Sequence, residues 1–89
     1  MDIGRTLAVT TRGAWRAWLR RHHRREREIW LVFHAKATSR PSLAYDAAVE
    51  EALCFGWIDS VVKPLPAVPG ARAQRFTPVS YTHLRAHET

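Results

Sequence analysis

The sequence predicts an α+β domain: two amphipathic helices packed on a small mixed β-sheet, incomplete at the C-terminus. Three observations predict it. Trp15, Trp18, Leu19 and His22 recur at i, i+3, i+4 and i+7, which places them on one face of a helix. Ile29-Trp30-Leu31-Val32-Phe33-His34-Ala35 is short, apolar, β-branched and aromatic, the composition of a strand covered on both faces. The densest apolar run, Ala52 to Ser60, is broken by Gly56. Residues before that glycine read as the end of a helix and those after it as the start of a strand.

Taken in order, residues 1–9 read as extended, because Leu7 and Val9 alternate with Ala8. Thr10 and Thr11 are candidate N-caps, since a hydroxyl can accept an orphan amide of the first turn. The first helix is predicted from Arg12 to His23. Arg12, Arg16, Arg20 and Arg24 form a second stripe at steps of four, so the helix is expected to pack on its tryptophans and turn its arginines to solvent. After the polar connector 24–28 comes the apolar strand 29–35. Lys36 to Pro41 reads as a loop, because Thr, Ser and Pro cluster there and Pro41 disfavours helix at Arg40. Ser42 is the expected N-cap of a second helix over 43–55, with Tyr45, Ala48, Val49, Ala52 and Phe55 on its apolar face. Asp46, Glu50 and Glu51 fall elsewhere on that helix. Trp57 to Lys63 reads as a strand, Pro64 to Gly70 as a loop, and Ala73 to Thr77 as a strand returning along 57–63.

Eighty-nine residues allow one small domain with a modest core. No apolar run approaches the length of a membrane span, and Met1-Asp2-Ile3-Gly4-Arg5 lacks the apolar stretch of a secretory signal. A single cysteine cannot form an internal disulfide. A cytoplasmic location fits these features. The net charge of +6 is uneven: residues 1–40 hold ten Lys/Arg against three acids, and residues 41–78 hold three against four. Such asymmetry points to an anionic partner or to a solvated basic face, and the arginine-rich, lysine-poor composition favours the second.

Several groups of residues line up with one family. Trp15-x-x-Trp18-Leu19, Ile29-Trp30-Leu31, the run from Leu43 to Asp59 and Gln74-Arg75-Phe76-Thr77-Pro78 resemble the bacterial YdeI/OmpD-associated, or bacteriocin-protection, family. The resemblance covers residues 7–78, and its densest part is Glu50 to Asp59. It implies a stress-response role linked to tolerance of bacteriocins or antimicrobial peptides, without implying a reaction. Members of that family usually continue with an Arg, a Trp-Ser and Asn motif and a helical region. Here Val79 to Thr89 instead resembles the translated sequence of a transposon-based sequencing adaptor. Residues 1–78 are therefore expected to be the N-terminal part of a family domain, and 79–89 a non-native tail. A domain cut there would expose apolar surface, at roughly 25 cal/mol for each Å² left uncovered.

Candidate chemistry is sparse. Cys54 lies near a helix C-terminus, where the dipole disfavours a thiolate, and free cysteine is commonly buried; it reads as a packing residue. Adjacent His22 and His23 point in different directions on a helix and do not share a metal ion, and no other spacing suggests a metal or cofactor. Asp59, just beyond the glycine corner, has no second carboxylate placed beside it for acid–base work. It reads as a structural group, capping a turn or pairing with an arginine such as Arg75, or as a ligand contact at a strand mouth. The tryptophans read first as core anchors. Trp57, Asp59 and Arg75 are the candidate binding residues, and no catalytic residue is assigned. The partner would be another protein or the family's own C-terminal region. The alternative is a nucleic-acid-binding module using Arg12, Arg16, Arg20, Arg21, Arg24, Arg25 and Arg27.

Overall fold

A computed structural model describes residues 2–79. Most of the adaptor-like tail, residues 80–89, lies outside them. The elements are β1 (Thr6–Leu7), α1 (Arg12–His22), β2 (Ile29–His34), a 3-10 turn (Lys36–Thr38), α2 (Tyr45–Cys54), β3 (Trp57–Pro64) and β4 (Ala71–Pro78). The four strands form one mixed sheet in the order β1-β2-β4-β3. β1 runs parallel to β2, while β4 is antiparallel to both β2 and β3. The α+β class and the two helices follow the sequence expectation, and β4 returns along β3 as its pattern suggested.

Local chemistry sets most boundaries. Thr11 caps α1, its hydroxyl accepting from the Ala14 amide at 3.1 Å. Gly56 follows α2 with φ of +74°, a left-handed conformation that closes the helix and releases the chain into β3. Its amide donates to the Leu53 carbonyl, and its carbonyl accepts from the Val79 amide. Gly70, with φ of +77°, ends the β3–β4 connection, and a Cβ there would collide with the Thr38 methyl. Through its carbonyl it also accepts from the Ala35 amide at 2.8 Å, tying that turn to the end of β2.

Ser42 departs from expectation. The helix begins two residues later than predicted, at Tyr45, and its N-cap Ala44 supplies no side-chain acceptor. The Ser42 hydroxyl instead accepts from the His34 amide at 3.1 Å, anchoring the loop to the last residue of β2. The competing bond wins because β2 would otherwise end with an unpaired donor beside that loop.

Both helices lie on one face of the sheet. Ile29, Leu31 and Phe33 of β2 point into a core completed by Trp15, Leu19, Leu43, Ala48, Ala52, Trp57 and Phe76. Trp30 is equally buried but belongs to the alternate side of the strand, so the start of β2 is covered on both faces. Ala48 and Ala52 leave room for α1 to approach α2 closely. The Trp15 indole fills that room and donates to the Ala48 carbonyl at 2.9 Å. Its ring also meets Phe76 edge-on and stacks on Trp18, which meets Trp57 edge-on in turn. Trp15 thus joins α1, α2 and the sheet, and Trp15→Ala is expected to cost about 3–5 kcal/mol of stability. Chemical denaturation of the variant beside the parent measures this loss.

Candidate functional site

The sequence places Arg12 and Arg16 among solvent-facing arginines, but the structure turns both towards α2. Arg16 grips Glu51 with two donors, Nε at 2.8 Å and Nη2 at 3.0 Å. Arg12 Nε donates to the same carboxylate at 2.7 Å, and its Nη2 reaches Glu50. The Glu51 side chain is only 8% exposed, whereas the two guanidinium side chains remain nearly half exposed. Arg16 pulls the Glu51 carboxyl down to about 2 and Arg12 adds to it, against a burial effect acting the other way. Of the arginines at steps of four, those in the N-terminal half of α1 meet α2, so the stripe divides. Arg20, Arg21, Arg24, Arg25 and Arg27 are exposed and make no ion pair among the described residues. Beside them, His22 lies over Trp18 with ring centres 4.8 Å apart, and His23 packs against the half-buried Phe55. His23 Nδ1 is also held 2.7 Å from the Leu19 carbonyl.

The three candidate binding residues do not converge. Trp57 is buried in the core. Asp59 accepts from the Tyr45 hydroxyl, and the Gln74 amide lies 3.4 Å from the same oxygen. That acceptance, with a smaller effect of burial, raises the Tyr45 hydroxyl above its ordinary value. Arg75 is paired across β2 with Trp30 and bonds Glu28 at 2.6 Å, so the suggested Asp59–Arg75 pair does not form. The alternation explains this. Asp59 is opposite Phe76 on β4 and shares its face, while the next residue of β4 in either direction faces the other way. A β-bulge between Asp59 and Val62 then shifts the register of β3.

Cys54 also departs from expectation. It is exposed at the last turn of α2 rather than packed, and no hydrogen bond links its sulfur to an acid or imidazole among the described residues. Trp57, three residues on, is buried, so the two do not share an open cleft.

A different cleft lies at the opposite end of α2. It has a volume of about 370 Å³ and is walled by Phe33 and Arg72 from the sheet, Lys36 after β2, and Ser42, Leu43 and Tyr45 at the approach to α2. Phe33 and Arg72 are cross-strand partners, and the guanidinium carbon sits 5.0 Å from the ring centre. Tyr45 meets the same ring with centres 6.3 Å apart. Nothing in the sequence reading singled out Phe33, Tyr45 and Arg72 together. The β2–β4 register pairs Phe33 with Arg72, and the first residue of α2 brings Tyr45 against the same ring.

The geometry defines an α+β domain with a basic helix end and a small aromatic cleft, and among the described residues no group of histidine, cysteine or acidic side chains is placed to hold a metal ion. Residues 7–82 match the family described as Domain of unknown function (DUF8412), and the chain belongs to that family. Neither a curated protein nor a solved structure matches it. Among the described residues no helix is long and apolar enough to cross a membrane.

The Glu51 clamp carries a pH dependence. The folded carboxyl lies below its ordinary value of 4.5, so its contribution to stability is fully present above that pH and fades as pH falls towards about 2. The parent is therefore expected to lose stability on acidification through this window more steeply than Glu51→Gln. Thermal unfolding followed at a series of pH values compares the two slopes, and parallel slopes would refute the clamp.

Proposed function

We propose that the chain is a binding module that holds single-stranded nucleic acid on the C-terminal end of α1 and the connector after it. The observation that carries this reading is the division of the arginines. Glu50 and Glu51 occupy Arg12 and Arg16, while Arg20, Arg21, Arg24, Arg25 and Arg27 remain exposed on the segment that carries His22 and His23, whose rings meet Trp18 and Phe55. Exposed guanidinium groups supply phosphate contacts, and neighbouring flat rings give bases a surface to stack on. The arginines in the last turn of α1 also complement the helix dipole, but Arg24, Arg25 and Arg27 lie beyond it.

Binding of a labelled single-stranded oligonucleotide to the full chain, measured by anisotropy over a salt series, tests the proposal. Affinity is expected to fall as salt rises, with a log–log slope of about −0.7 for each phosphate contact. Replacing Arg24, Arg25 and Arg27 together by Gln is expected to flatten that slope and leave the fold intact. Binding that is absent, or insensitive to both salt and these replacements, would refute it.

The resemblance to the YdeI/OmpD-associated family supports a second, cellular reading: a role in tolerance of bacteriocins or antimicrobial peptides. The residues that carry the resemblance most densely, Glu50 to Asp59, form the helix–glycine–strand corner and include the Glu51 clamp. A basic surface repels cationic peptides, so protection would run through another partner rather than through direct capture. Deleting the encoding gene is expected to raise peptide sensitivity, and unchanged sensitivity would remove this reading.

A further inference from the structure

We infer that the cleft between the start of α2 and the β2–β4 pair is a binding site for a small organic anion with a planar apolar body, of the aromatic carboxylate class. This site is separate from the basic end of α1, and either can fail without the other.

The cleft's volume of about 370 Å³ lies within the range of small-molecule sites. Its walls combine one flat apolar surface with two cations. Phe33 is a core residue of β2 that also lines the cleft, and Tyr45 stands against its ring. Tyr45, 41% exposed, offers a planar ligand body its apolar surface, with the buried Phe33 ring as its backing.

The cations fix the charge. Arg72 lies over the Phe33 ring and makes no ion pair among the described residues, and Lys36, which also lines the cleft, makes none either. With no acid partner among the described residues, the Arg72 guanidinium has donors available for a carboxylate, which it can engage by two parallel bonds. The nearest acid on the sheet, Asp59, is occupied by the Tyr45 hydroxyl and the Gln74 amide. This bond also fixes the Tyr45 ring as a wall of the cleft. Asp46 is exposed in the first turn of α2 and does not line the cleft. His34 at the rim keeps its buried Nδ1 without a hydrogen-bond partner.

Titration of the ¹⁵N-labelled full chain with benzoate, benzyl alcohol and inorganic phosphate, followed by amide chemical shifts, tests the assignment. Benzoate is expected to shift the amides of Phe33 to Lys36, Leu43 to Tyr45 and Arg72, and to bind about tenfold more tightly than either other probe, since each lacks one of the two recognised features. Arg72→Gln is expected to weaken benzoate by about tenfold, with Arg72→Lys intermediate and Arg75→Gln, on the other face of the sheet, unchanged. Equal affinity for benzyl alcohol, equal affinity for phosphate, an undiminished response in Arg72→Gln, or shifts confined to other residues would each overturn it. If Arg72→Gln does not fold, Lys36→Gln and the three-probe comparison on the parent decide the matter by the same criteria.

Discussion

One buried carboxylate organises the upper layer of this fold. Glu51 projects from α2 towards α1 and is met by three guanidinium donors, two from Arg16 and one from Arg12. A carboxylate removed from water is costly unless its oxygens are filled, and here two arginines fill them while their own stems stay partly in solvent. The same helix pair is joined by the Trp15 indole, which donates to the Ala48 carbonyl in the space beside Ala48 and Ala52. Packing and charge thus act on the same helix pair: the indole supplies buried apolar area, and the ion pairs tie the neighbouring turns of α1 and α2.

That arrangement bears directly on function. A stripe of arginines on a small basic domain invites a single electrostatic reading, but two of its members belong to the interior bookkeeping of the fold. What remains for a partner is the end of α1 and the connector after it, where the cations are exposed and histidine and phenylalanine rings lie close by. At the other end of α2 the chain makes a second kind of surface. There Arg72 lies over an aromatic ring and the approach is a concave wall rather than an open helix face.

Much of the architecture was legible in the chain because periodicity and punctuation agree. The tryptophan spacing marks the buried face of α1, the run from Ile29 marks a strand with both sides covered, and Gly56 marks the corner by requiring a positive φ. Other features were illegible because they depend on pairings distant in sequence. Glu51 and Arg16 are 35 positions apart, and helical spacing alone places each on a polar face without saying that the two faces meet. Ser42 carries the residue type of a cap, yet its hydroxyl is taken by the end of β2. Asp59 and Arg75 are charged neighbours in the folded sheet, but strand alternation sends them to opposite faces, where Tyr45 and Glu28 claim them. The aromatic cleft needed the register of β2 against β4, which no local pattern encodes.

The most direct test of this account is a double-mutant cycle on Arg16 and Glu51, read as unfolding midpoints of the parent, Arg16→Gln, Glu51→Gln and the double variant. Because Arg16→Gln alone leaves a shielded carboxylate short of donors, the account predicts that the double variant is less destabilised than the sum of the two single changes. Additive effects, with Arg16→Gln no more harmful than Arg20→Gln, would contradict it.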